Sequence, residues 1–214
     1  MKVVVTGATG NVGTSVVRAL SADASVTRIV AVARRQPRQP LDGSEFVRAD
    51  VSSSDLEPIF RGVQAVIHLA WLIQPGRDEA VTRKVNVEGS RRVFDAVVAA
   101  GVPALVYAAS VGAYSPGPKD RLVDESWPTE GIESSFYSRH KVVVERDLDR
   151  LEAENPAPRV VRLRPGLIFQ RTAATEIRRL FMGPLLPSRL LWAGLAPISP
   201  DVRGLRFQAV HADE

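Results

Sequence analysis

The feature that most constrains this chain stands at its start. Lys2 to Thr6, an apolar strand-like run, opens directly into Thr6-Gly7-Ala8-Thr9-Gly10-Asn11-Val12-Gly13 and then into a helical pattern. This G-x-x-G-x-x-G spacing asks for a strand, a tight turn and a helix N-terminus, in that order. One glycine permits the turn, the next lets backbone approach a phosphate with no Cβ in the way, and the last lets helix and strand pack closely. Amides around Asn11 and Val12 then face phosphate oxygens with the helix dipole behind them. A glycine-rich turn can be only a turn. Its place between a buried-type strand and an amphipathic helix points instead to a dinucleotide site built from Gly7, Thr9, Gly10, Asn11, Val12 and Gly13.

The rest of the chain repeats the theme. Short runs rich in Val and Ile alternate with longer segments of helical period, the pattern of βαβ units in a parallel sheet. Strands are predicted at Lys2–Thr6, Arg28–Ala33, Phe46–Arg48, Ala65–Leu69, Ala104–Ala109, Val160–Leu163 and, late, Leu205–His211. Helices are predicted at Val12–Ala22, weakly near Asp55–Phe60, and over two long stretches. The first, Ala80–Ala100, carries Val81, Val85, Phe94 and Val97/Val98 at helical spacing and is stopped by Gly101 and Pro103. The second is capped by Ser134 or Ser135, runs to about Glu154, and ends before Pro156 and Pro158. The predicted class is α/β, a Rossmann-type doubly wound parallel sheet with helices on both faces.

Bulk properties exclude several functions. At 214 residues, with 45% apolar and 24% charged residues, the chain suits one large folded domain. It has no cysteine, so disulfides and thiolate metal sites are impossible. His68, His140 and His211 are too scattered in sequence to suggest a metal site and are read as structural. The net charge of +4 raises the question of nucleic acid. Basic residues are nevertheless interleaved with acids, apart from Arg34, Arg35 and Arg38, and no aromatic stacking surface accompanies them, so no nucleic-acid partner is expected. The chain enters a strand without a secretory h-region, and the apolar stretch Phe181 to Ile198 is broken by Pro184, Pro187, Arg189 and Pro197. It reads as a loop or short helix over a pocket. The expectation is a cytoplasmic protein with no membrane partner and a small-molecule substrate.

Strand two ends in Ala33-Arg34-Arg35, where an acid would serve the ribose of NAD. A guanidinium suits a 2′-phosphate, so Arg34 favours NADP over NAD, the alternative being two arginines that merely solvate a loop. Within the second long helix lies Tyr137-Ser138-Arg139-His140-Lys141. Residues four apart share a helix face, so the phenol and the ammonium can share a site, where a nearby cation lowers the phenol's pKa. Tyr137 then suits acid/base work at a carbinol or ketone. From these residues alone, a surface tyrosine covering a lysine stem is the alternative.

Taken in order, the motifs resemble the extended short-chain dehydrogenase/reductase family, the NAD(P)-dependent epimerase/dehydratase group. Thr6 to Gly13 resembles its glycine motif, Asp50-Val51 its adenine-contacting pair, and His68-Leu69-Ala70 its cofactor-lining fourth strand. Asn86 in Val85-Asn86-Val87-Glu88-Gly89, Tyr107-Ala108-Ala109-Ser110 with Tyr114 beyond, and Arg164-Pro165-Gly166 follow in the family's order. The resemblance implies Tyr137 as general acid/base, Ser110 orienting the substrate oxygen, and Lys141 lowering the tyrosine pKa and holding the nicotinamide ribose. Pro165, Leu69 and Ala70 would line the cofactor. Asn86 is either part of this machinery or a backbone-bonding helix residue. The implied division is 1–165 for the cofactor domain with its active-site helix and 166–214 for a partial substrate-side region, with much of the usual substrate lobe missing. Departures are Arg139 and His140 inside the Tyr-Lys interval, expected to face away from the cofactor, and Gln170 where a glycine is common. Epimerase, dehydratase and simple reductase stay open, as does a non-catalytic dinucleotide sensor. The two long helices resemble those that pair two subunits in the family, implying a homodimer.

Overall fold

Lys2–Thr6 (β1) is buried from Val3 onward, and its side chains alternate between two cores. Val3 and Val5 join Ile29, Ala31 and Val17 on the face covered by α1 (Asn11–Ala22). Val4 joins Val66 and Leu105, with Val93, Phe94 and Val97 from α4 (Gly89–Ala99) and Val144 and Leu148 from α5 (Phe136–Glu154). A strand with three consecutive valines therefore feeds both faces of one sheet, each valine contributing about 2 kcal/mol by burial.

The computed structural model describes residues 1–37, 40–73, 78–118, 120–170 and 209–213. Beside β1 stand β2 (Arg28–Ala33), β3 (Ser44–Arg48), β4 (Ala65–His68), β5 (Ala104–Ala108) and β6 (Arg159–Leu163), all parallel, in the order β3-β2-β1-β4-β5-β6. The order reverses at β1, which opens a crevice at the carboxyl ends of β1 and β4. The doubly wound reading holds, and strand bounds lie within two residues of those predicted.

A short helix, α2 (Glu57–Phe60), precedes β4. The first long helix is in fact three pieces: α3 (Glu79–Arg83), a π-helical turn at Lys84–Glu88, and α4. The π turn inserts one residue and rotates the face by about 100°. Hence Val85, Asn86 and Val87 are all buried, while Val81 is 54% and Val98 36% exposed, which corrects their assignment to the core face. The predicted stop is in place, with Gly101 at φ 64° and Val102 N–H bonded to Val97 O at 2.9 Å.

Beyond β6, β7 (Leu167–Phe169) pairs in parallel with β8 (Ala209–His211) as a separate two-stranded sheet. Three residues carry no readable period, so β7 was not legible. Of the predicted Leu205–His211 strand, residues 205–208 lie outside the described residues, as do Arg38 and the predicted loop at Phe181–Ile198.

Candidate active site

The glycine loop divides its labour. Gly7 sits at φ 75°, and a Cβ there would lie 2.7 Å from the backbone N of Ala70, so both the turn and the approach of the strand behind Leu69-Ala70 require glycine. Gly13 packs against the loop's own backbone, 2.3 Å from Gly7 O to its notional Cβ. Gly10 is exposed at the N-cap of α1, with Thr9 half-buried before it. Among the described residues no side chain caps this helix, and its first turn holds no acid. Unmet first-turn amides with a positive dipole end suit a pyrophosphate. The Asn11 Nδ2 is committed elsewhere, donating to Ile168 O at 3.1 Å, so Asn11 and Val12 are left to serve through backbone N–H.

At the ends of β2 and β3, Arg34, Arg48, Ala49, Asp50 and Ser54 line an open polar cleft of about 330 Å³. Arg34 stands 4.0 Å from Asp50 Oδ2. Asp50 Oδ1 accepts from Ser52 N–H at 2.9 Å and Ser52 Oγ–H at 2.7 Å. Partial burial raises the Asp50 pKa, but the Ser52 hydrogen bonds, with Arg34 and Lys84, hold it below the usual value. The Val51 side chain is buried against Gly89, so this residue can meet a base only through its backbone.

Ser110 follows β5 and caps a 3₁₀ turn, Val111–Ala113, its Oγ accepting from Gly112 N–H at 3.0 Å. Val111 N–H donates to Pro165 O at 3.1 Å, tying this turn to the end of β6. Tyr137, in the first turn of α5, lies on Gly112: a Cβ there would be 3.0 Å from Tyr137 Cε1 and 3.4 Å from Ser110 Oγ. Buried Ser138 secures the arrangement by donating to Gly112 O at 2.6 Å. Ser135 caps α5, resolving the Ser134/Ser135 choice. Ser110 and Tyr137 are thus brought together.

Lys141 lies beneath them, 2% exposed, its Nζ donating to Tyr107 Oη at 3.2 Å and Ala108 O at 2.7 Å. Nζ is 3.5 Å from the Trp71 ring centroid but 5.9 Å from that of Tyr137. The predicted lowering of the Tyr137 pKa is therefore corrected. Burial raises it, opposed by a hydrogen bond with Ser110, and burial drives Lys141 well below its ordinary value against the pull of Glu145. The lysine addresses β5 and an indole rather than the phenol. Trp71 and Tyr107 were missed as site residues; Trp71 directly follows the Leu69-Ala70 pair, which was the available signal.

Asn86 takes the backbone-bonding role, its Oδ1 accepting from Leu72 N–H at 2.7 Å and its Nδ2 donating to Leu72 O at 3.0 Å. Arg139 pairs with Glu79 on α3 at 2.8 Å, and His140 lies 3.5 Å from the same carboxylate. Gln170 is buried, donating to Ser15 Oγ at 2.8 Å on α1.

A glycine turn against an uncapped helix, a cleft with two arginines, and a Ser-Tyr-Lys cluster at one edge of the sheet together fit a nicotinamide dinucleotide. Comparisons with known proteins agree. Over 110 residues the chain is 36% identical to L-arabinose 1-dehydrogenase (NAD(P)(+)) of Haloferax volcanii, covering 51% of this chain and 41% of that protein. Over 134 residues it is 31% identical to the decarboxylating sterol-4-alpha-carboxylate 3-dehydrogenase of Saccharomyces cerevisiae, covering 60% and 38%. It thus spans about two fifths of the length of these relatives. Among solved structures, the Thermus thermophilus UDP-glucose 4-epimerase complex with NAD superposes with a TM-score of 0.69 at 27% identity, over 79% of this chain and 56% of that one. Residues 3–179 match the family model itself, and the chain belongs to the NAD dependent epimerase/dehydratase family.

Proposed function

We propose that this chain binds NADP(H) in preference to NAD(H) and oxidises or reduces a ring carbinol or its ketone on a small molecule, with Tyr137 moving the oxygen's proton. The observation that carries this reading is the meeting of Ser110, Tyr137 and Lys141 at the carboxyl end of β5, on the sheet edge that also holds the uncapped start of α1. The dinucleotide, when bound, supplies or accepts the hydride.

The chain's own residues do the rest. Backbone N–H groups from Gly7 to Gly13, with Thr9 beside them, receive the phosphates. Arg34, with Arg48 across the same cleft, meets a 2′-phosphate, while Asp50 and the backbone of Val51 meet the adenine. Leu69, Ala70 and Pro165 line the nicotinamide side, and Lys141 holds its ribose. Tyr137, kept protonated at neutral pH by burial, gives its proton to a ketone oxygen in the reductive direction and recovers it in the oxidative one. Ser110 steadies the charge that develops on that oxygen. Arabinose, a sterol carboxylate and a UDP-sugar, named in the relatives, all carry ring hydroxyl groups, which supports the carbinol class. A sensor without catalysis would use the glycine loop and Arg34 but has no need of Ser110 and Tyr137 side by side.

The test pairs calorimetry with product identification. NADP⁺ is expected to bind more tightly than NAD⁺; the reverse order overturns the preference. On a panel of sugars, nucleotide sugars and sterol carboxylates read by mass spectrometry, Tyr137→Phe should lower turnover by roughly 10²–10⁴-fold while cofactor affinity stays the same. Unchanged turnover in that variant would sink the acid/base assignment.

A further inference from the structure

An ammonium has three N–H bonds to place. Lys141 directs two to oxygen, on Tyr107 and Ala108. A further face is covered by Trp71, whose ring centroid at 3.5 Å is well inside the reach of a cation–π contact, about 6 Å. Trp71 also meets Tyr137 edge-on, with centroids 5.9 Å apart, and its own Nε1–H is buried without an acceptor. So arranged, Lys141 offers a ribose hydroxyl no free face until the indole moves.

The local backbone makes such movement a side-chain event. Leu72, next in sequence, is clamped at both N–H and C=O by Asn86, and on the other side Ala70 is wedged against Gly7. The chain on either side of Trp71 is fixed, so the indole moves by rotating about its own bonds. Its present position leaves a buried donor unpaired, an unfavourable state that rotation can relieve.

We propose that Trp71 is a displaceable cap on Lys141: its indole and the nicotinamide ribose compete for one face of the ammonium. Trp71 thereby sets affinity for the nicotinamide half of the dinucleotide and leaves the adenine half untouched. This inference rests on the dinucleotide reading above, and its test separates the two.

The probes are the intact oxidised dinucleotide, NADP⁺ or NAD⁺, and the matching adenine half, 2′-phospho-ADP or ADP. In the wild type the dinucleotide should change tryptophan emission and the adenine half should leave it unchanged. Trp71→Phe, which retains Trp127 and Trp192, should lose most of that change. Trp71→Leu should bind the dinucleotide about three- to tenfold more tightly, with its affinity for the adenine half unchanged. Binding of the adenine half also shows that the variant is folded. Equal or weaker dinucleotide binding by folded Trp71→Leu overturns the cap, as does an undiminished emission change in Trp71→Phe. A wild type that binds neither probe overturns the dinucleotide reading and the cap with it.

Discussion

At the end of β4, His68 is buried between two hydroxyls whose own commitments fix its tautomer. Ser90 Oγ gives its single proton to Asn86 O at 2.6 Å, so His68 Nε2 must donate to Ser90 at 3.0 Å. His68 Nδ1 then accepts from Thr6 Oγ1 at 2.7 Å. Burial, and secondarily the charge on Lys141, lower its pKa from 6.5 to about 3. The unfolded chain therefore binds a proton below pH 6.5 that the folded chain refuses. Stability is full above that pH and should fall by about 1.4 kcal/mol per unit as pH drops from 6.5 towards 3. Urea unfolding across this range measures the slope, and His68→Asn should make it shallower by one proton. The Tyr137–Lys141 pair was legible from its spacing on one helix, and Ser110 only through the family resemblance. Trp71, Tyr107 and Ser138 were not, because each acts on a residue of another element. The direction of the Tyr137 pKa was also misread, since helical spacing gives proximity but not where an ammonium points.

Among the elements, α5 and β6 are joined by a buried carboxylate. Glu145, one turn beyond Lys141, meets Arg162 at 3.1 Å and holds Arg164 through two hydrogen bonds of 2.9 Å. Arg164 in turn donates to Tyr114 Oη at 3.1 Å. This network fixes the loop after Ser110 relative to the helix that carries Tyr137. Burial raises the Glu145 pKa, but both arginines hold it below 4.5, so its contribution is present above the ordinary carboxylate range and lost as pH falls through the lowered value. Glu145→Gln takes the carboxylate from Arg164, while Arg162 keeps Asp149 and Glu152, and should cost about 3 kcal/mol, lowering Tm by roughly 10 °C in calorimetry. Strands were readable at this scale because each holds a short run of apolar, mostly β-branched residues between turn signals. The π turn at Lys84–Glu88 was not, since one inserted residue keeps the composition of a helix while turning its face.

For the whole molecule, the two cores on opposite faces of one parallel sheet were implied by alternating strand and helix segments, and the shared direction of the six strands brings the proposed glycine loop, Arg34, Asp50 and Ser110 to their carboxyl ends. Among the described residues no helix is long and apolar enough to cross a membrane. Association of two copies through α4 and α5 is a proposal at this scale: light scattering at micromolar concentration should give twice the 23.3 kDa chain mass, and a strict monomer would refute it. β8 falls within the strand expected at Leu205–His211, but β7 and the pairing were beyond sequence reading because β7 is only three residues long and lies some forty residues from its partner. It hangs on α1 through three side chains: Asn11 to Ile168 O, Ser15 to Asp213 at 2.6 Å, and Arg18 to Asp213 at 3.4 Å. The helix whose first amides are proposed to receive the phosphates is thus also the mooring of residues 209–213. A load applied there, such as a bulky fusion or the pull of a bound neighbour, would pass through Ser15 and Arg18 into the first turns of α1 and is expected to register first as altered grip on the proposed dinucleotide.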